Sequence, residues 1–324
     1  MSAETAREAR VSPLELSYVL VTAEPATVRG VLAHLGRQTR AGAVELVLVA
    51  PREIDPAAAE LPRELGGVRA VRCPAPIELP VARALGVRAA SAPVVFIGET
   101  HSFPEPEMVE RLLAAFAEGW DAVVPAFVNA NPRTGRSWAA FLLDYARWGP
   151  EAPPAELAEP LFYNAAFRRD ALFALGEGLV DALSSIDRGA WEPLGAAGRR
   201  ARFEPAARIR HLNVSLPGAL LRERLLCGLR LGRFRARRWG WPRRLAYATA
   251  APLVPLVLAA RVRRVVSRAV ARGGLPLSTL PWLAIALAAR AAGEGLGYLG
   301  AGRSAEAAET EIELNRTRYI VESP

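Results

Sequence analysis

Residues 91–107, Ser-Ala-Pro-Val-Val-Phe-Ile-Gly-Glu-Thr-His-Ser-Phe-Pro-Glu-Pro-Glu, constrain the fold more than any other stretch of the 324-residue chain. Pro93 to Ile97 is a short apolar run rich in β-branched residues, which predicts a buried parallel strand. The run stops at Gly98, and Glu99, Thr100 and His101 follow as one polar cluster. Pro104 and Pro106 then precede Met108 to Phe116, whose apolar spacing suits a helix. Glu99 and His101 therefore stand at the carboxyl end of a strand, where open α/β sheets bind their ligands. Two positions apart on an extended segment, they point the same way, and both residue types ligate metals. An ordinary polar strand-to-helix turn has the same pattern, so position alone leaves both readings open.

Alternation of short apolar runs with helical spacing continues on either side. Leu16 to Val21, Glu45 to Val49, Val68 to Arg72 and Ala122 to Val124 read as strands, with helices at Thr27 to Leu35 and Val81 to Ala89. This order predicts an α/β fold, a mainly parallel sheet with helices on both faces. Further on, Trp138 to Trp148 has helical spacing, an acidic stretch surrounds Asp187 and Glu192, and a last strand ends at His211. His34 lies inside a helix, where a structural role is the simpler reading. Cys73 and Cys227 lack metal-like spacing and read as unpaired thiols of a reducing compartment. Residues 1–14 are polar and read as a loose leader, with no apolar core of a signal peptide.

Six segments in order over residues 15–215 resemble family 2 glycosyltransferases, whose catalytic domain has the nucleotide-sugar-binding GT-A fold. They are Leu20-Val-Thr22-x-Glu24, Leu35-x-x-Gln38-Thr39, Glu45-Leu-Val-Leu-Val, Ala82-Arg83-Ala-Leu-Gly86, Asn164-x-x-Phe-Arg-Arg-Asp and Arg202 to His211. The resemblance implies transfer of a sugar from a nucleotide-sugar donor with inversion, assisted by Mn²⁺ or Mg²⁺. It implies donor contacts at Thr22, Glu24, Arg83 and Glu99, an acceptor-side role for Asn164, and metal ligands at Glu99, His101 and His211. Arg83 could equally cap packing.

The departures are specific. Glu99-Thr-His101 stands where the family has Asp-x-Asp, resembling a branch that writes this turn as Glu-x-His. Ala50-Pro51 replaces the aspartate that contacts the base. Counting back from Leu194-x-x-x-Gly198 puts Asp187 at the catalytic base, with Glu192 as the competing candidate. A catalytically silent relative that binds a nucleotide or glycan, or serves assembly, is the rival these departures favour.

Charge divides the chain. Residues 1–220 are net −3, residues 221–303 net +14 and residues 304–324 net −3. The basic region, read as residues 216–303, sets arginines beside Trp239 and Trp241 and next to apolar runs at Leu245 to Ala260 and Leu275 to Ala289. That composition suits an anionic membrane surface, and the apolar runs speak against nucleic acid. Each run is broken by prolines and shorter than the roughly 20 residues needed to span. Interfacial helices or a hairpin on the cytoplasmic face of a bacterial inner membrane are expected, serving a lipid-linked or glycan acceptor. Gly295-Leu-Gly297-Tyr-Leu-Gly300 matches G-x-G-x-x-G literally, but no strand precedes it, so it is not a dinucleotide fingerprint. It sits in a stretch that resembles the tail of membrane-bound members of the same family. Residues 304–324 are expected to be a mobile acidic tail.

Overall fold

The computed structural model describes residues 13–51, 60–184, 189–271 and 274–321. Most of the leader and Asp187 lie outside this set. Nine strands form one sheet: β1 (Leu16–Val21), β2 (Val44–Pro51), β3 (Gly67–Cys73), β4 (Val94–Ile97), β5 (Ser102–Pro104), β6 (Ala122–Asn129), β7 (Ala155–Leu157), β8 (Ala165–Arg168) and β9 (Ala201–His211). Their order is β3-β2-β1-β4-β8-β6-β9-β5, with β7 also pairing β9.

The first four strands in that order are parallel, and β1 and β2 are buried along their whole length. Both faces are covered, and the polar side chains these strands bury, Ser17 and Glu45, are joined by a hydrogen bond. The second half corrects the expectation of a mainly parallel sheet. β8 runs antiparallel to β4 and β6, and β5 and β7 run antiparallel to β9; only β6 and β9 are parallel there. The physical reason is connectivity: β5 and β8 follow the preceding strands β4 and β7 without an intervening helix, so neither comes from the strand–helix–strand unit that sets strands parallel.

Helices α1 (Pro25–Leu35), α2 (Leu79–Ala89), α3 (Met108–Ala117), α4 (Gly135–Tyr145), α5 (Arg169–Ala174), α6 (Leu179–Leu183) and α7 (Glu192–Ala196) accompany the sheet. α1 is representative, burying Val28, Val31, Leu32 and Leu35 at helical spacing. Five helices follow: α8 (Pro217–Ala236), α9 (Trp241–Ala250), α10 (Val254–Ala271), α11 (Thr279–Tyr298) and α12 (Ala305–Leu314).

α8 and α11 pack backbone to backbone. A Cβ on Gly297 would meet the Leu229 carbonyl oxygen, and one on Gly293 would meet that of Leu225. Gly293 and Gly297 thus serve close helix packing, Gly295 of the G-x-G-x-x-G match packs against Ala251, and Gly300 sits in a left-handed turn with open space around it. Val214, Leu220, Leu226, Leu283, Leu287 and Ile312 form a second apolar core beside the main one. Ile312 belongs to α12, so residues 304–321 are folded onto the protein and not a mobile tail as expected. Ser215 and Leu216 donate backbone hydrogen bonds to the Tyr319 carbonyl and fix the turn after α12. Among the described residues, no helix is long and apolar enough to cross a membrane.

Candidate metal and donor site

The site forms where β4, β5 and β9 meet. Gly98 ends β4 beneath the ring of Tyr18, with no room for a side chain. β5 then pairs Ser102 with His211 on β9, and the Leu212 amide donates to the His101 carbonyl at 2.9 Å. Residues 110 positions apart thereby become neighbours, their imidazoles 4.8 Å apart edge to face. On β9, Ala207, Ile209 and His211 face inward while Arg208 and Arg210 face out, the alternation of a half-buried strand.

Glu99, His101 and His211 converge, each buried, with their ligand atoms within 4.8 Å of one another. Glu99 Oε2 lies 3.4 Å from His101 Nε2 and 3.6 Å from His211 Nε2. Metal–ligand bonds of about 2.1 Å put adjacent donors about 3 Å apart and opposite ones about 4.2 Å apart, so this spacing fits one divalent cation. His101 supports the same fit. It is 1% exposed, and neither of its ring nitrogens has a hydrogen-bond partner, an orphaned state that buried polar groups rarely tolerate without a ligand.

Electrostatics prepares each donor. Burial pushes the Glu99 carboxyl up, but its polar surroundings and the positive charge of Arg83 outweigh that and hold Glu99 below the usual carboxylate range. Arg83 Nη2 donates to Glu99 Oε1 at 3.2 Å, and Asn164 Nδ2 donates to Oε2 at 2.6 Å. Burial, then the Arg316 charge, hold His101 well below the usual imidazole range despite Glu99, so it is the neutral ligand form.

The His211 tautomer follows from its network. Asn213 Nδ2 faces two acceptors, Asn129 Oδ1 and the His211 carbonyl, each at 3.0 Å. Its Oδ1 therefore accepts from His211 Nδ1 at 2.9 Å. Nε2 keeps its lone pair toward the site, meeting the Tyr145 hydroxyl at 3.1 Å. Burial, reinforced by Glu99, raises that hydroxyl well above the ordinary tyrosine range, so Tyr145 is the donor.

The remaining expected residues fall in different places. Arg83 also donates to the Leu183 carbonyl at 3.4 Å, so it both packs and faces Glu99. Asn164, expected on the acceptor side, is fully buried and holds the Glu99 carboxylate from a left-handed backbone conformation that asparagine tolerates. Thr22 is buried at the end of β1, its hydroxyl bound to the Glu24 carbonyl and amide. The Glu24 carboxylate is exposed and pairs with Arg318 at 2.6 Å. Glu192 opens α7 on the surface; it does not line the cavity described next. Asp187 lies outside the described residues.

A cavity of about 690 Å³ opens beside the cluster, lined by Arg83, Glu99, Tyr145, Ser184, His211 and Arg316 among others. Its size is that of a small-molecule site. Its far wall is a buried chain of charges absent from the sequence reading. Arg224 grips Asp144 through two bonds of 2.7 and 2.8 Å and pairs with Glu223 at 2.7 Å. Glu223 pairs with Arg316, which holds Glu313 at 2.6 Å. Tyr145, Asn213, Glu313 and Arg316 were all missed; Glu309 and Glu313, four positions apart on one helical face with Arg316 three positions further on, were the available signal.

No protein-family model matches the chain, and no curated protein matches it. Solved structures do. The mannosyltransferase PcManGT from Pyrobaculum calidifontis, in complex with GDP-Man and Mn²⁺, matches at 20% identity over 87% of each chain, with a TM-score of 0.53. GalNAc-T7 with UDP, GalNAc and Mn²⁺ matches at 17% identity over 62% of this chain and 44% of that one, with a TM-score of 0.45. S. aureus TarS in complex with UDP matches at 12% identity over 88% of this chain and 90% of that one, with a TM-score of 0.43. The mixed sheet and flanking helices assembled above therefore share the fold of that mannosyltransferase, the GT-A fold.

Proposed function

We propose that the protein is a metal-assisted, inverting glycosyltransferase that moves a sugar from a nucleotide-sugar donor to the hydroxyl of a lipid-linked or glycan acceptor. One observation carries the reading: the buried convergence of Glu99, His101 and His211 at the carboxyl end of β4, beside a cavity of ligand size. The fold shared with a mannosyltransferase solved with GDP-Man and Mn²⁺ supports it. A bound Mn²⁺ or Mg²⁺ would supply the Lewis acid that neutralises the departing diphosphate.

The chain's own residues do the rest. Glu99, held by Arg83 and Asn164, and His101 present their donor atoms in place, while the Tyr145 hydroxyl would have to give up its bond to His211 Nε2 for that lone pair to take a metal. The acceptor hydroxyl oxygen attacks the anomeric carbon as the carbon–oxygen bond to the diphosphate breaks, and the diphosphate leaves with the electron pair. The hydroxyl proton passes to a carboxylate, assigned to Asp187. Ser184 lines the cavity three positions before it, whereas Glu192 lies away from the cavity. Thr22 and Glu24, at the end of β1, would face the nucleotide.

We place the acceptor at the cytoplasmic membrane surface. Leu256 and Leu277 of the basic region are 67% and 97% exposed, and Trp241, Leu245 and Leu253 are exposed with them. Apolar side chains outside any core, among arginines, suit an anionic interface. Ala50-Pro51 at the end of β2 favours the binding-only alternative. Turnover separates the two: nucleotide release from a panel of nucleotide sugars with Mn²⁺ and membrane extract is expected, falling about 10²–10⁴-fold in Asp187→Asn and unchanged in Glu192→Gln. Donor binding without release in any combination would establish the binding-only reading.

A further inference from the structure

We propose that Glu313, in the last turn of α12, is a fourth protein ligand of the cation held by Glu99, His101 and His211, so that the metal fastens the C-terminal segment to the catalytic site. The inference rests on the metal-site reading above and extends it to a residue from outside the sheet.

His101 Nε2 lies between two carboxylates, 3.4 Å from Glu99 Oε2 and 3.5 Å from Glu313 Oε2, and bonds to neither. Glu313 is oriented for this. Its Oε1 is taken by Arg316 Nη2 at 2.6 Å, which leaves Oε2 turned toward His101. The side chain is 23% exposed, and Glu313 lines both the large cavity and a small one shared with Val21, Gly98 and Glu99.

The backbone under Glu313 is fixed as well. The Thr100 hydroxyl lies 3.5 Å from the Glu313 carbonyl, joining the β4–β5 turn to the end of α12. Leu314 is buried in the main core, and Arg316 is buried with its partner Glu223. The ligand is thus delivered by an anchored helix end.

Coordination chemistry favours four. Hard divalent cations prefer oxygen, and a set of one carboxylate and two imidazoles serves them only partly. A second carboxylate makes the set half oxygen and balances the two positive charges. In a six-coordinate shell, four protein ligands leave two positions, the number a donor diphosphate needs.

The test is titration of the full-length protein with Mn²⁺ alone, following free Mn²⁺ by electron paramagnetic resonance. Glu313→Gln keeps an oxygen for Arg316 and removes the charge; Glu313→Asp keeps the charge and draws it back. Both are expected to weaken Mn²⁺ binding about tenfold or more, while Glu306→Gln on the exposed side of the same helix leaves it unchanged. Trypsin gives an independent readout, because Arg318 is more than half exposed. Mn²⁺ is expected to slow cleavage after Arg318 in the parent and in Glu306→Gln, but not in either Glu313 variant. Parent-like Mn²⁺ affinity in both Glu313 variants would overturn the proposal, and if His101→Ala still loses binding, the three-residue site stands without Glu313. If the parent itself binds no Mn²⁺, the metal reading fails and this inference with it.

Discussion

Asn213 offers a test of the site in which no candidate ligand is substituted. Its side chain makes three buried hydrogen bonds: Oδ1 accepts from His211 Nδ1 at 2.9 Å, and Nδ2 donates to Asn129 Oδ1 and to the His211 carbonyl at 3.0 Å. Its backbone bonds with Asn131 do not depend on the side chain. Asn213→Ala therefore leaves the loop tied and removes the acceptor that keeps the His211 proton on Nδ1. Two outcomes are open to the imidazole, which is 3% exposed. Keeping the proton on Nδ1 leaves a buried donor unsatisfied, at about 1–3 kcal/mol. Moving it to Nε2 puts a hydrogen where the ligand lone pair should be. Either way the metal loses affinity, by about 10–100-fold for an outer-shell partner, or about 1.4–2.7 kcal/mol. Mn²⁺ titration by calorimetry is the assay, with circular dichroism to establish folding. Asn213→Asp retains an acceptor and should retain most of the affinity. A folded Asn213→Ala protein that binds Mn²⁺ like the parent would refute the tautomer argument and remove His211 from the ligand set.

Two further outcomes concern the C-terminal helices. Burial pushes the Glu309 carboxyl from its ordinary 4.5 up to about 7, outweighing Arg230 at 2.7 Å. A raised carboxyl pKa means stability present below about pH 4.5 and lost as pH rises through about 7, by at most about 3 kcal/mol; urea unfolding between pH 5 and 8 should show this loss in the parent and a smaller one in Glu309→Gln. On vesicles containing anionic lipid, high salt should weaken binding without abolishing it, since apolar burial is not screened; Leu256→Asp combined with Leu277→Asp should make the remainder salt-releasable, and complete release of the parent by salt alone would exclude insertion.

The first half of the sheet was legible because β1, β2 and β4 are closed local signals, largely apolar runs bounded by Pro, Gly or acids. β1, β2 and β4 lie within a residue or two of where periodicity put them, and Glu99, His101 and His211 were found because histidine is scarce and two of the three end strands. β5 was not legible. Ser-Phe-Pro carries no period, and it becomes a strand only because β9 offers an edge. That three-residue pairing is what brings His101 to His211, so the sequence pointed to both histidines but not to the device that joins them. Asn164 was noticed for the wrong contact, since whether an amide faces a substrate or a carboxylate depends on the fold of a loop. The tail misled more. Five acids and few apolar residues over 304–324 read as solvated, yet Glu309 and Glu313 are spaced to fall on one helical face, opposite arginines supplied by α8 and by the turn after α12.

That arrangement bears on why the C-terminal region carries buried charge at all. A buried ion pair contributes little net stability, because desolvation offsets most of the attraction, while breaking one side of it is strongly destabilising. The chain Asp144–Arg224–Glu223–Arg316–Glu313 is thus poor at adding stability and good at enforcing a single arrangement. Its first member belongs to α4, whose last residue, Tyr145, donates to His211; its last member stands beside His101. Both imidazoles of the cluster are thereby referenced to one charge network running through α8 and α12. Apolar packing at the same positions could bury as much surface, but it would tolerate helix slippage of a fraction of a turn. Bidentate pairing of Arg224 with Asp144 does not. The charged C-terminal helices accordingly act as part of the scaffold around Glu99, His101 and His211, and a chain cut after His211 is expected to keep the sheet yet lose the fixed register of Tyr145 and with it the orientation of His211.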